Sequence, residues 1–277
     1  MGVLTIVLHA FYLILAFVAA VAVSLFTVDS WRRCWVPVAV FIGALLALWL
    51  LHVLAICLIS LFADTKKKPS TVHNFFRWVS VVTLDVFLAA AGVRFRVEGR
   101  EKLPDRPFLL VCNHVSILDP LVMMVAFRDR DVAFISKKEN RAIPAVSRYM
   151  VPCGCLFLDR DDSRAAVYTI RQAAEYISEG VCSMAICPEG TRNKTKDPIL
   201  PFHAGSFKIA IKAGCPLVIA GVRGTQNVCR RFPFRTTPVD ICLLDTVPAE
   251  QTKTARSTEL ARLAEREIAG WLTAEAK

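Results

Sequence analysis

The chain lacks several features that usually assign a protein to a class. It has 10 cysteines but no Cys-x-x-Cys pair, and Cys153-Gly-Cys155 has neither a second cysteine pair nor histidines at a zinc-binding spacing. It also contains no internal repeat and no low-complexity linker. We therefore expect reduced thiols that face the cytoplasm, no metal site and a folded chain.

Charged residues are also scarce. They make up 21% of the 277 residues, whereas apolar residues make up 55% and the mean hydropathy is +0.46. This composition excludes a disordered or collagen-like chain, and it is too apolar for an ordinary soluble enzyme. The 34 basic and 24 acidic side chains give a net charge of +10, which predicts an anionic partner such as phospholipid headgroups, phosphorylated metabolites or nucleic acid.

Two stretches near the N-terminus, Val3–Val28 and Trp35–Phe62, contain no Asp, Glu, Lys or Arg. As helices each would reach roughly 40 Å, whereas the hydrocarbon core of a bilayer is roughly 30 Å thick. A cleaved signal peptide is the alternative for the first stretch, but no basic segment precedes it and no convincing cleavage site follows it. Residues 1–68 are therefore predicted to form a transmembrane two-helix hairpin.

Basic residues beside the two stretches predict the orientation of this hairpin. The connecting turn carries Arg32 and Arg33, whereas Lys66–Lys68 follow the second stretch and Arg77 comes soon after. Basic residues concentrate on the cytoplasmic side of membrane proteins. We therefore expect an integral membrane protein whose C-terminal region faces the cytoplasm.

Residues 69–92 have an amphipathic pattern. Aromatic and β-branched side chains surround a narrow polar stripe of His73, Asn74, Arg77 and Ser80. Arg77 and Asp85 make this segment a poor third membrane span. It is predicted to be an amphipathic helix that lies in the membrane interface and packs against the following domain.

From Val93 onward, short apolar or alternating segments are separated by helical stretches. The predicted strands are Val93–Glu98, Phe108–Cys112, Val132–Ser136, Cys155–Leu158, Cys182–Cys187, Leu217–Val222 and Val239–Leu244. The clearest predicted helices are Ser163–Ser178, Phe207–Ala213 and Thr254–Ala274. This alternation predicts one α/β domain over residues 93–277, with a largely parallel sheet flanked by helices.

The segment Asn113-His114-Val115-Ser116-Ile117-Leu118-Asp119-Pro120 follows a predicted buried strand. His114 and Asp119 are five residues apart and would not share one face of a regular helix, so a turn must separate them. Ser116 and Asp119 resemble a capping box, which places His114 before a helix and Asp119 in its first turn. The carboxylate could then orient the imidazole and prepare its other nitrogen as a general base. A capping serine beside a buried histidine, without catalysis, is the alternative.

Two further polar segments follow predicted strands. Pro188-Glu189-Gly190-Thr191-Arg192 combines a glycine, which permits close backbone approach, with an arginine suited to phosphate. Ser136-Lys137-Lys138-Glu139 brings two lysines to another strand end. Solvated turns are the alternative for both. Ser116 is not expected to be a nucleophile, because no Gly-x-Ser-x-Gly motif surrounds it and a capping role is sufficient.

Taken in order, these motifs resemble the glycerolipid acyltransferase family, and within it the bacterial-type 1-acyl-sn-glycerol-3-phosphate acyltransferases. The resemblance covers about residues 93–222. It rests on Asn113-His114-x4-Asp119, Lys137-x-Glu139 with Pro144, Gly154 with Phe157-x-Asp159-Arg160, Pro188–Arg192 with Phe202 and Gly205, and Pro216 before a strand. The chain departs from the family pattern at several positions: Asn140 replaces leucine, Cys187 phenylalanine, Asn193 serine, His203 lysine and Ile219 a second proline.

The resemblance implies a role for each motif. His114 would deprotonate the acceptor hydroxyl, and Asp119 would orient and stabilise the imidazole. Arg192, Lys137 or Lys138 and the Gly190 backbone would hold the acceptor phosphate, with Glu189 positioning the acceptor or Arg192. Backbone N–H groups of the His114 turn would stabilise the oxyanion. Asn113, Ser116, Thr191 and Pro216 belong to the same motifs as supporting or binding residues.

The resemblance further implies an acyltransferase that uses no metal or redox cofactor and forms no acyl-enzyme. Its acyl donor would be acyl-CoA or acyl carrier protein, and its acceptor a lysophospholipid in the bilayer, so that the product is phosphatidate. Two alternatives remain: the same chemistry on glycerol 3-phosphate, another lysophospholipid or a lyso-aminolipid, and a catalytically silent lipid-binding protein. Nucleic acid is not an expected partner because no recognition motif is present.

Overall fold

The computed structural model describes residues 2–27, 35–65 and 69–274. The chain divides into two compact units, with the boundary between residues 63 and 64 of the sequence. In the N-terminal unit, α1 (Val3–Thr27) and α2 (Trp35–Ser60) are long and apolar enough to cross a membrane. The Tyr12 hydroxyl and His52 Nδ1, 2.8 Å apart, hydrogen-bond the two helices to each other. Arg32, Arg33 and Lys66–Lys68 lie outside the described residues, so the orientation of the hairpin stays a prediction.

The second unit alternates strands with helices. Its strands are β1 (Val93–Glu98), β2 (Leu109–Cys112), β3 (Val132–Lys137), β4 (Leu156–Leu158), β5 (Ser183–Ile186), β6 (Leu217–Arg223) and β7 (Thr237–Val247). Its helices are α3 (Asn74–Ala90), α4 (Asp119–Ala126), α5 (Pro144–Met150), α6 (Ser163–Ser178), α7 (Lys208–Ala213), α8 (Val228–Arg231), α9 (Ala249–Thr254) and α10 (Ser257–Ala274).

The strands of this unit, among the described residues, form one sheet in the order β1-β7-β6-β2-β5-β3-β4. Neighbouring strands are parallel except β6 and β7, so β1 and β7 run against the other five. Every residue of β2 and β5 is buried, in keeping with their sequences, which are apolar except for Ser183. The predicted α/β fold with a largely parallel sheet is confirmed, and the reversed pair lies at one edge.

The strand order determines where polar segments can meet. β6, β2 and β5 are neighbours that run in the same direction. The segments that follow them, which begin at Gly224, Asn113 and Cys187, therefore leave the sheet at the same edge. Ligand sites of α/β folds commonly lie at this carboxyl edge of the strands.

Helix α3 packs against α4 and β1 of this unit, and one residue of its polar stripe, Arg77, faces inward, whereas His73 and Asn74 are exposed. Arg77 is buried rather than part of an exposed stripe: it donates to the carbonyls of Phe127, Arg130 and Val132 and pairs with Asp131 at 3.1 Å. These partners lie in the segment that runs from the end of α4 to the first residue of β3. The guanidinium therefore holds α3 against that segment. Aromatic side chains face outward instead, at the exposed positions Phe75, Trp78 and Phe87.

Candidate active site

His114 lies immediately beyond β2, at the carboxyl edge of the sheet. Its Nδ1 is 2.8 Å from Oδ2 of Asp119, and 19% of its side chain is exposed. Asp119 is the first residue of α4, followed by Pro120 in the first turn, and its side chain is fully buried. The two side chains therefore meet as the spacing predicts, and the imidazole remains accessible from outside.

The carboxylate of Asp119 is held by several donors. Besides His114, its Oδ2 accepts the N–H groups of Val115 and Ser116, each at 2.8 Å, and its Oδ1 accepts the hydroxyl of Thr225. Half of the predicted capping box is present, because the Asp119 carboxylate accepts the N–H of Ser116. The other half is absent, because Ser116 Oγ accepts the N–H of Leu118 at 3.2 Å rather than that of Asp119. Leu118 is accordingly the N-cap residue of α4. The local turn thus fixes the orientation of the carboxylate before any substrate binds.

The environment of His114 favours its protonated form. Burial disfavours the imidazolium, but hydrogen bonds and charge from Asp119 and Cys187 outweigh that cost and raise the pKa of His114 above its ordinary value of 6.5. Asp119 supplies the negative charge, because contact with the Cys112 thiol and burial raise the pKa of Cys187 well above its usual value and keep it a neutral thiol. The carboxylate therefore makes the free imidazole nitrogen a stronger base.

Asn113 connects the end of β2 to β6. Its side-chain amide donates to the carbonyl of Val222 at 2.8 Å and accepts the N–H of the same residue at 2.8 Å. Asn113 is fully buried. Its role as a supporting residue is therefore structural: it fixes the strand end from which His114 projects.

Glu189 connects the two motifs through the backbone. Its Oε1 accepts the N–H of His114 at 2.6 Å and its Oε2 accepts the N–H of Leu200 at 3.0 Å. Glu189 is only 3% exposed, and burial raises its pKa. Glu189 therefore connects the turn at His114 with the segment at Leu200, and the expectation that it positions the acceptor or Arg192 stays a prediction.

The same bonds correct the expected oxyanion donors. The N–H of His114 donates to Glu189, and the N–H groups of Val115 and Ser116 donate to Asp119. These three groups are occupied by buried carboxylates, so they are not available to a developing oxyanion.

Gly190, Thr191 and Arg192 lie beside the His114 turn. The carbonyl of His114 accepts the N–H of Asn193 at 2.7 Å, which ties the segment to the turn. Gly190 has φ +69, a conformation that favours glycine, and a Cβ there would lie 2.9 Å from the ring of the exposed His203, which would have to move. Thr191 and Arg192 are exposed. The fold thus brings two motifs that are 75 residues apart in the sequence to the same carboxyl edge of the sheet. The exposed Arg192 guanidinium is accessible to an anion there.

The two lysines at the end of β3 differ in availability. Lys138 Nζ lies 2.8 Å from Asp159 and 3.0 Å from Asp161, so neighbouring carboxylates already compensate its charge. Lys137 is exposed, and no carboxylate of the described chain pairs with it. Of the predicted alternatives, the geometry favours Lys137 as a phosphate ligand over Lys138.

Pro216 lies away from this edge. Its carbonyl accepts the N–H of Leu109, the first residue of β2, at 3.0 Å. It therefore stands at the beginning of β6 and β2, whereas His114 stands beyond the end of β2. Its part in the motif is to begin a strand, not to support the imidazole directly.

Thr225 was not predicted from the sequence. It is 1% exposed and its hydroxyl donates to Asp119, 106 residues earlier in the chain. No local pattern marks it, because its partner is set only by the pairing of β6 with β2. Across the described residues, no group of three His, Cys, Asp or Glu side chains could hold a metal ion.

Comparison with known proteins relates this site to a family. Residues 94–222 match the family model described as Acyltransferase. The chain is 30% identical over 195 residues to a probable 1-acyl-sn-glycerol-3-phosphate acyltransferase of Mycoplasma pneumoniae, which covers 68% of this chain and 72% of that protein. It is 32% identical to the human 1-acyl-sn-glycerol-3-phosphate acyltransferase beta over 57% of each chain.

One solved structure is also similar, that of the 1-acyl-sn-glycerophosphate (LPA) acyltransferase PlsC from Thermotoga maritima. It has a TM-score of 0.55 and 27% identity, and covers 70% of this chain and 80% of that chain. The chain is also 29% identical to a 1-acyl-sn-glycerol-3-phosphate acyltransferase of Saccharomyces cerevisiae. That match covers 50% of this chain and 45% of the length of the yeast protein. With the fold, the site and these similarities in agreement, the chain belongs to the 1-acyl-sn-glycerol-3-phosphate acyltransferase family.

Proposed function

We propose that this protein is a membrane-bound O-acyltransferase. It moves a fatty acyl group from a thioester donor to the sn-2 hydroxyl of 1-acylglycerol 3-phosphate, and the product is phosphatidate. The hydrogen bond between His114 and the buried Asp119 is the observation that carries this proposal. The names of the family members in Mycoplasma pneumoniae and Homo sapiens support the choice of acceptor.

In this mechanism His114 acts as the general base. Nδ1–H donates to Asp119, which leaves Nε2 to take the proton of the acceptor hydroxyl. The acceptor oxygen attacks the thioester carbonyl carbon, the carbon–sulfur bond breaks, and the departing thiolate takes the proton from the imidazolium. Asp119 stabilises the positive charge that His114 carries between these steps.

No acyl-enzyme is part of this mechanism. The Ser116 hydroxyl accepts the N–H of Leu118 at 3.2 Å and has a structural role in the turn. The nearby Cys187 has a raised pKa, and a neutral thiol is a poor nucleophile. Direct attack by the acceptor therefore needs fewer assumptions than a covalent intermediate on either residue.

Arg192 binds the acceptor phosphate, assisted by Lys137. The exposed guanidinium can form two parallel hydrogen bonds to phosphate oxygens, and Gly190 permits close backbone approach beside it. The donor is acyl-CoA or acyl carrier protein, both of which are soluble, in keeping with a catalytic unit that faces the cytoplasm. The two apolar helices keep this unit at the bilayer, where a lysolipid concentrates.

The first experiment tests the base. Membranes that contain the full chain are incubated with labelled acyl-CoA or acyl carrier protein and a panel of lysolipids, and the products are separated by chromatography. His114→Ala should lower the transfer rate at least a hundredfold, because general-base catalysis typically contributes about 10²–10⁴. The exposed His73 on the N-terminal side of α3 provides the control, His73→Ala, which should retain activity. Comparable activity in His114→Ala and wild type would refute the mechanism.

The second experiment tests the acceptor. Arg192→Ala should raise the KM for lysophosphatidate roughly tenfold or more, since a hydrogen bond to a charged group contributes about 1.5–3 kcal/mol. The KM for a zwitterionic lysolipid should hardly change. Lys194→Ala removes an exposed charge two residues away and serves as the matched control. Equal effects of the two substitutions on lysophosphatidate would contradict the assignment of Arg192.

A further inference from the structure

The segment between β6 and β7 has an unusual surface. Residues 228–235, which we call the basic-aromatic loop, contain Arg230, Arg231 and Arg235 and no acidic residue. Phe234 is 92% exposed and Phe232 is 53% exposed. Exposed aromatic rings between cations are typical of surfaces that contact a partner that is both apolar and anionic.

The arginines of this loop are available to bind such a partner. In the described part of the chain, no carboxylate forms an ion pair with any of the three guanidinium groups. Arg231 donates only a long hydrogen bond, 3.4 Å, to the carbonyl of Thr236. The three arginines, Asn227 and Phe234 line a surface cavity of about 450 Å³. The loop thus presents several donors suited to phosphate and no internal anion to satisfy them.

The loop adjoins the candidate active site. It follows Thr225, whose hydroxyl binds Asp119, and therefore leaves the sheet at the edge that carries His114. Its other end lies beside the end of α3: the carbonyl of Gly92 accepts the N–H of Thr237 at 2.8 Å. The last turns of α3 carry Phe87, another outward-facing aromatic residue. Apolar exposed side chains are therefore present on both elements at this edge.

We propose that the basic-aromatic loop is a docking site for the anionic phospholipids of a membrane leaflet. The arginines bind headgroup phosphates, while Phe232 and Phe234 enter the boundary between headgroups and acyl chains. A soluble phosphate compound would satisfy the arginines but leave the two rings in water, whereas a bilayer satisfies both. Each basic residue near an anionic surface should contribute about a fivefold preference for the docked state, so three contribute on the order of a hundredfold.

This inference goes beyond the proposed function and does not depend on it. The docking phosphates are those of bulk lipids, whereas the acceptor phosphate binds at Arg192. Docking would hold the sheet edge with His114 at headgroup depth. The test therefore measures lipid contact rather than acyl transfer, so that failure of the docking site and failure of the proposed activity are distinguishable.

The experiment places a photoreactive phenylalanine analogue at position 234 of the full chain, reconstituted in vesicles. The vesicles contain phosphatidylcholine alone or phosphatidylcholine with phosphatidylglycerol, and lipid adducts at position 234 are quantified by mass spectrometry after illumination. The adduct yield should be at least fivefold higher in the anionic vesicles. The triple variant Arg230→Gln, Arg231→Gln, Arg235→Gln should reduce it to the phosphatidylcholine level.

A matched variant controls for the loss of net charge. Arg256→Gln, Arg262→Gln, Arg266→Gln removes the same charge from three exposed positions, one just before α10 and two within it, and should leave the yield unchanged. Thermal unfolding of both triple variants checks that each is folded. Equal yields in the two kinds of vesicle, or equal effects of the two triple variants, would overturn the proposal. Displacement of the lipid adduct by millimolar inorganic phosphate or coenzyme A would assign the site to a soluble ligand and would also overturn it.

Discussion

Asp119→Asn isolates the charge of the candidate dyad from its geometry. In the wild type, Oδ2 accepts three N–H groups and Oδ1 accepts the Thr225 hydroxyl. An asparagine oxygen at the Oδ2 position can accept the same three groups. Its NH2 group would then donate to Thr225, because a hydroxyl can rotate to become an acceptor. The variant should therefore fold with the turn intact and lack only the negative charge.

The expected loss of activity follows from the attraction between that charge and the imidazolium. Two unit charges about 4 Å apart attract by about 4 kcal/mol at an effective dielectric constant of 20. Since about 1.4 kcal/mol corresponds to a tenfold change, kcat should fall about a thousandfold. The assay is acyl transfer in membranes at saturating donor and acceptor. Asp129→Asn, which removes a surface carboxylate paired with Arg100, should keep near wild-type kcat.

The pH dependence gives a second readout of the same substitution. A general base acts when deprotonated, so wild-type activity should rise with pH through the raised pKa of His114. Removing the carboxylate lowers that pKa, and the residual activity of Asp119→Asn should reach its plateau at lower pH. A variant with more than about a tenth of wild-type kcat, or with an unshifted pH profile, would refute the role assigned to the pair.

Two further substitutions test the scaffold around the site. Gly190→Ala should raise the acceptor KM severalfold, because the added Cβ would clash with the His203 ring. Gly180→Ala is the control, since Gly180 has a similar φ of +74 and no neighbour within 4 Å of an added Cβ. Equal KM values for the two variants would contradict this reasoning. Arg77→Met should lower the free energy of unfolding by about 1–3 kcal/mol, because it removes a donor from the buried carbonyls of Phe127 and Val132. The exposed Arg94→Met should change it by less than about 0.5 kcal/mol. Chemical denaturation in detergent measures both arginine variants.

Local sequence patterns were sufficient for much of the fold. Helix α6 has the predicted bounds because its signals are local: a periodic apolar face and Asp162, which accepts the N–H groups of Arg164 and Ala165 as the N-cap. The meeting of His114 and Asp119 was predictable for the same reason, since five residues and one turn determine it.

Features that depend on distant contacts were not predictable in this way. The helix predicted for Thr254–Ala274 is observed as α10, which begins three residues later, at Ser257. The short helix α9 before it was not predicted, and its Thr252 donates to the carbonyl of Cys215 at 2.7 Å. The reversed direction of β7 and the hydroxyl of Thr225 beside Asp119 likewise follow from strand pairing across the sheet. A polar residue such as Arg77 has the same local sequence signal whether it faces solvent or buried carbonyls.

The hydrogen bonds of Asn113 limit which residues the family motif can accept at this position. By exchanging one donor and one acceptor with Val222, its side chain imitates a peptide group and extends the ladder between two strands past the point where the main chain turns away. An aspartate could accept but not donate, and a leucine could do neither, so each would leave a buried main-chain group of Val222 without its partner. The amide therefore allows the chain to leave the sheet abruptly, and a fully buried residue sets how sharply the turn that carries His114 can begin.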